Sequence, residues 1–412
     1  MKKNAHPMLR YAAWFLALIA LFTLAMTLVY CIPTNWIAYR HETSSYILDM
    51  EEEKGVWFGN FFGVEAGRLD NTTDSLMIDE LMQVEPGQSA LEAAMSVGGY
   101  SRYWHGYHVF LRPLSVFFDY WQIRYINMFA FFLLVGAVML MISKKLRGEG
   151  RAIAFLASLI ACYIVVVPVS LQYHSVFLIF LSASFVLLAR YEQLTKRSIP
   201  LFFMVVGMVT NFLDFLTAPL LTLGMPLLLL LELDMHSRDR VTVVLLLRRI
   251  IVCSIAWWMG YALCWVSKWC IGSLVLGESV FLSAEGAATM WLGNAWGTYG
   301  RLIACAKNFE YFFLAHGKRV YFPLIIPAVA YAICALRFPN KDWKRALVLL
   351  PIGLYPYVWY VTLANHSLFH TWFTNRLQAM TLFAVLLFLI ELVDWQRLKD
   401  AMSWMKKDEN TH

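Results

Sequence analysis

Charge is what this chain has least of. Asp, Glu, Lys and Arg make up 15% of its 412 residues and hydrophobic types 60%, whereas a soluble domain holds roughly 45–50% apolar residues. With a mean hydropathy of +0.57, that balance excludes a soluble globular protein. Cysteine is sparse too. The seven lie scattered in or beside apolar runs with no CxxC, so neither a disulfide framework nor a zinc site is implied, and they read as small core residues. Glycine motifs for nucleotides, GxxxxGK[ST] and GxGxxG after a strand, are missing. No cofactor is implied, and an activated donor has to arrive through the membrane or from beyond it. Alternation of the outer-membrane-barrel kind is absent. So is a convincing internal repeat, which weighs against a transporter built from duplicated halves.

Apolar runs are abundant, each near the roughly 20 residues a helix needs to cross the hydrocarbon core. Candidate spans are 10–32, 125–143, 152–170, 174–190, 199–214, 217–232, 250–275, 320–336, 346–363 and 377–394. The expected fold is all-α, a polytopic transmembrane helical bundle of about ten spans forming one domain over 1–412. Lys2 and Lys3 resemble a signal-peptide start, but no small-x-small cleavage site precedes Pro33. Tyr30 is too large to precede an acylated Cys31, so 10–32 reads as a retained helix. The fifth and sixth spans abut at Asp214–Pro219 and fit a pair of half-spanning or tilted helices as well as two full crossings.

Ten crossings put both termini on one side. With the N-terminus cytoplasmic, 22 of the 34 Lys and Arg residues fall in short inner segments, as the positive-inside rule expects. The chain then reads as a multi-pass plasma-membrane protein with a cytoplasmic tail at 395–412. The formal charge of +6 belongs to helix ends, not to a nucleic-acid surface. Three pieces face outward: residues 33–124, residues 277–319, and the short stretch 365–376. All candidate chemistry falls there.

In the first piece, Asp70 and Asp74 flank Asn-Thr-Thr at the start of a helical pattern. They fit two roles: capping that helix, or acting as a general base toward an acceptor hydroxyl. Glu42 is a weaker alternative base, and Asp49 and Glu51 to Glu53 read as solvated. Arg102, Tyr103, His105, His108 and Arg112 share an aromatic segment where the second span begins. They read either as interfacial anchors or as a phosphate site at headgroup level. His366 and His370, at i and i+4 ahead of Arg376, fit structural hydrogen bonding, substrate-phosphate contact or metal ligation. Asn71 and Asn365 head glycosylation sequons. Asp214 and Lys268 are ionisable groups in apolar runs and therefore functional suspects, although Lys268 is placed to snorkel.

A first helix, a large outward acidic loop, and further helices with outward loops resemble the GT-C class of integral-membrane glycosyltransferases. Arg112-Pro113-Leu114 stands where many members carry a His-Pro-Pro-Leu-like stretch. The segments 102–107, 211–219 and 365–376 also resemble those of multi-span proteins of Gram-positive bacteria. The chain departs from the class in lacking an acidic pair just after the first helix and a soluble domain after the last. The resemblance implies transfer of a sugar from a polyprenyl-phosphate donor to a glycan or lipid acceptor of the cell envelope. It implies Asp74 or Asp70 as base, and Arg102, Tyr103, His105, Arg112, Asp214, His366, His370 and Arg376 as substrate-binding residues. The competing readings are a flippase for a lipid-linked glycan and an acyl- or phospho-transferase using His366 or His370.

Overall fold

The computed structural model describes residues 7–53, 69–146, 148–195, 197–237, 241–294, 296–314 and 322–401. Residues 54–68 of the first loop, 315–319 of the second and 402–412 of the tail lie outside that set. Among the described residues the chain is helical throughout, with one isolated bridge between Pro339 and Val393 and no strand. An apolar helix α1 (Pro7–Tyr30) turns at Pro33 into α2 (Thr34–Glu53). The second helix is two-faced: Ile37, Ser44 and Leu48 are buried, while Trp36, Tyr39 and Tyr46 are exposed. Two short helices follow, α3 (Asn71–Asp79), capped by Asp70, and α4 (Ala90–Ser96), closed by a Ser89–Glu92 capping box. Then come α5 (His108–Phe117) and the long α6 (Tyr120–Lys145).

The remaining helices are α7 (Glu149–Ala161), α8 (Leu171–Arg190), α9 (Ser198–Leu213), α10 (Leu221–Met235), α11 (Val243–Leu276), α12 (Val280–Leu292), α13 (Gly300–Phe309) and α14 (Phe322–Arg337). After them the chain breaks into α15 (Trp343–Ala346), α16 (Leu350–Gly353), α17 (Tyr355–Thr362), α18 (Ala364–Phe369), α19 (Thr371–Thr374) and α20 (Gln378–Leu392). Five stretches are long and apolar enough to cross a membrane: Met8–Tyr30, Tyr120–Lys145, Leu171–Gln193, Val243–Leu276 and Thr371–Leu392. The other expected spans are helical but short, and 346–363 is segmented.

Burial sorts these helices. In α1 and α6 only 22% of the apolar window is buried, so most of that surface suits lipid and not water. By contrast α10 is enclosed from Leu221 through Asp234 and forms the centre of the bundle. Contact between α9 and α11 is made by glycine. A Cβ on Gly207 would stand 2.2 Å from the Trp257 carbonyl, and one on Gly260 2.1 Å from that of Met204. The two backbones touch, as small residues allow when lipid supplies no hydrophobic drive between helices.

At the end of the bundle away from residues 33–124, Arg151 of α7 ties three helices. Its Nε lies 2.5 Å from Glu232 of α10, and one terminal nitrogen binds Glu391 of α20. His236 Nε2 lies 2.9 Å from the same terminal nitrogen.

Candidate functional site

Three pieces of chain, far apart in sequence, meet at the loop end. Asp70 caps α3 by accepting from the Thr73 amide at 3.1 Å, and its second oxygen accepts from the Trp372 indole at 3.1 Å. Trp372 lies two residues beyond His370, with the rings 5.3 Å apart, and the His370 ring stands 5.0 Å from that of His366. Trp291 of α12 contacts both rings, at 5.4 and 5.3 Å. His366 Nδ1, Ser367 Oγ and His370 Nδ1 are buried without a hydrogen-bond partner among the described residues, an arrangement that proteins rarely keep without a reason. Burial, and then the neighbouring His370, hold His366 well below the ordinary imidazole range. Burial also lowers His370, against the pull of Asp70. Both rings are therefore neutral near pH 7, able to give or take a hydrogen bond but not to act as cations. The Arg376 guanidinium packs 4.0 Å from the centre of the Tyr173 ring and donates to the Trp372 carbonyl.

Trp291 also lines a cavity of about 320 Å³ that runs down the bundle between α11, α12 and α17. Its walls are aromatic, with Trp258, Trp265 and Trp269 of α11 facing Trp291 and Trp359, and Arg102 and Tyr103 at its rim. The guanidinium of Arg102 lies 4.7 Å from the Tyr100 ring centre and 5.0 Å from that of Tyr103. Asp214 sits behind this wall, within electrostatic reach of Tyr103 and Tyr261, and accepts from the Thr217 amide at 3.0 Å. One cavity rim thus brings together Arg102, Tyr103 and, through Trp291, His366 and His370.

The other candidates are spent on architecture. Asp74 is fully buried and accepts from the Tyr120 hydroxyl, Ser170 Oγ at 3.2 Å, and the amides of Leu171 at 2.8 Å and Gln172 at 2.9 Å. It does cap a helix, but that helix is α8 and not its own. Burial pushes its carboxyl up to about 6 despite those donors. Arg112 is likewise buried, donating to the carbonyls of Val29 at 3.0 Å, Ile32 at 2.8 Å and Leu81. It closes the end of α1 instead of facing a phosphate. His105 turns inward to Glu80, at 3.1 Å. Lys268 does not snorkel: it is buried and donates to the Met95 carbonyl at 2.8 Å, closing α4.

Several residues escaped the sequence reading. Glu51 is buried and clamps Arg124 through bonds of 2.5 and 2.9 Å, whereas Asp49 and Glu42 are exposed. Glu80 accepts from the Tyr107 hydroxyl at 2.6 Å. Asn365 is buried with its amide donating to the Met290 carbonyl, which closes that sequon. For metals, the group of described residues whose ligand atoms converge, within 4.8 Å of one another, is Glu232, His236 and Glu391. It does not include His366 and His370, and Arg151 already supplies its counter-charge. The Glu232-x-x-x-His236 spacing was the available signal for it.

No family model, curated protein or solved structure matches this chain.

Proposed function

We propose that this protein is a glycosyltransferase that takes a sugar from a polyprenyl-phosphate carrier at the outer face of the plasma membrane and passes it to a cell-envelope acceptor. The observation that supports the reading is the meeting of Asp70 with the His366–His370 pair beside a deep aromatic cavity rimmed by Arg102. In this reading the tryptophan walls hold the prenyl chain and Arg102 holds the phosphate. Asp70 takes the proton of the acceptor hydroxyl. The freed oxygen bonds to the anomeric carbon as the bond from that carbon to the phosphate oxygen breaks. The electron pair leaves with the phosphate, where fixed positive charge is most effective. Configuration at the anomeric centre inverts. Neutral His366 and His370 orient the sugar by hydrogen bonds.

A flippase draws less support. Among the described residues, the Asp, Glu, Lys, Arg and His side chains of the five long helices fall toward the helix ends, as with Arg124, His174, Lys268, Arg376 and Glu391. An ionisable path through mid-membrane is what that alternative needs.

The test is Asp70→Asn. Asn caps helices as well as Asp does, so the variant keeps the α3 cap and loses the base together with the bond from the Trp372 indole, which Trp372→Phe removes alone as a control. In liposomes supplied with polyprenyl-phosphate hexoses labelled in the sugar, its transfer rate should fall about 10²- to 10⁴-fold. Wild-type rates from Asp70→Asn would overturn the proposal.

A further inference from the structure

A second cavity, of about 510 Å³, lies on the other side of α9, between α5, α6, α8 and α9. Its volume is in the range of ordinary ligand sites. It follows α8 from Leu171 to Val186, and from His174 to Val186 is about 18 Å of helix. Phe110, Ile126 and Val186 line it and are also exposed at the surface of the bundle, so the groove opens sideways. The walls are aliphatic for most of that length.

At its loop end stands His174, which is 7% exposed. The Asn127 backbone carbonyl lies within reach of the ring, while Nε2 is buried with no hydrogen-bond partner among the described residues. A donor on Nδ1 leaves a lone pair on Nε2. The groove therefore offers a long, mainly apolar channel, with Ser182 along its wall, and at its head an unpartnered acceptor, His174 Nε2, beside Asn127 and Ser175. No residue lining it is Asp, Glu, Lys or Arg. A phosphate would find no cation there, and a charged headgroup would go unpaired at high cost. A hydroxyl would find a partner.

We infer that this groove binds a neutral lipid whose headgroup presents a free hydroxyl to His174 Nε2. The class is that of diacylglycerols, long-chain alcohols and glycolipids without phosphate. The groove as a binding site stands without the proposed transfer reaction. If that reaction is accepted, the inference deepens it, because it supplies the acceptor: two lipid-tailed substrates lie on opposite sides of α9, one rimmed by Arg102 and the other headed by His174.

The probe is a diacylglycerol carrying a photoreactive diazirine in one acyl chain, added to the full-length protein in phosphatidylcholine nanodiscs. Adducts are expected in the peptides of α8 and α9. Unlabelled dioleoylglycerol should compete about tenfold better than its 3-O-methyl ether, which has the same tails and no hydroxyl; this is the preference worth one buried hydrogen bond. His174→Leu should keep the adducts and bring the two competitors to near parity. Ala183→Phe, which fills the groove below the head, should abolish the adducts. Adducts spread evenly over the exposed faces of α11 and α14, equal competition by the methyl ether in the wild type, or an unchanged preference in His174→Leu would each overturn the inference. The wild-type competition alone decides the matter should either variant fail to fold. The labelling needs no sugar donor and transfer is read separately in the liposome assay, so adducts here with no transfer there would remove the glycosyltransferase reading and leave the groove. Transfer in that assay without adducts here would do the reverse.

Discussion

Asp74 and Asp70 stand four residues apart and each caps a helix, but Asp74 is spent on α8 while Asp70 also reaches the Trp372 indole, beside the cavity where we propose a base. Both look alike in sequence, because capping and catalysis favour the same residue type and the deciding partners are remote. Tyr120, Ser170 and the amides at 171 and 172 engage Asp74, and none of them is visible from position 74. Arg112 was misread for the same reason, since the carbonyls it closes belong to α1 and to Leu81. Arg112→Ala leaves three buried acceptors unmet and should cost about 3 kcal/mol of stability, read as a lowered unfolding midpoint in detergent. Arg112→Lys should not rescue it, because one ammonium cannot reach what a planar fork does. For Asp74 the sign of the pH effect is fixed. Its folded value, about 6, lies above the ordinary 3.8, so its contribution to stability is complete below pH 3.8 and is lost as pH rises through 6. Asp74→Asn does not titrate. The stability gap between wild type and variant should therefore narrow between pH 4 and pH 7.5 in thermal melts, and a gap that widened would contradict the burial described for this carboxylate.

At the scale of elements, helices were legible from hydropathy and their lengths were not. Each expected span contains helix, yet 152–170 is α-helical only to Ala161, α10 is a short enclosed core helix, and 346–363 is broken into short helices around Pro351 and Pro356. Hydropathy reports that a segment avoids water. It does not say whether lipid or protein replaces the water. The α9–α11 contact gives a direct check on the packing. Gly207→Ala places a methyl group against the Trp257 carbonyl and should cost about 1–3 kcal/mol as overpacking, measured as a drop in melting temperature. The exposed aromatic residues of α2 (Trp36, Tyr39 and Tyr46) fall on one helical stripe suited to a bilayer interface. Replacing all three with Ser should lower the fraction of α2 protected from hydrogen exchange in nanodiscs while the bundle stays folded.

At the scale of the whole molecule, the charge bias gives the expected orientation a direct test. It predicts which face an impermeant reagent reaches in intact cells. With Cys31 and Cys270 replaced by Ser, a maleimide that cannot cross membranes should label Glu85→Cys and spare Lys341→Cys until the membrane is opened. Labelling in the reverse order would invert the topology and move the proposed site to the cytoplasm.

The Arg151 tie has a mechanical consequence. It fastens α7, α10 and α20 to one another at the end opposite Asp70, His366 and Arg102. Without Arg151 the carboxylates of Glu232 and Glu391 would face each other with their main counter-charge gone. The residue that now draws three helices together would, by its removal, leave two of them pushing apart.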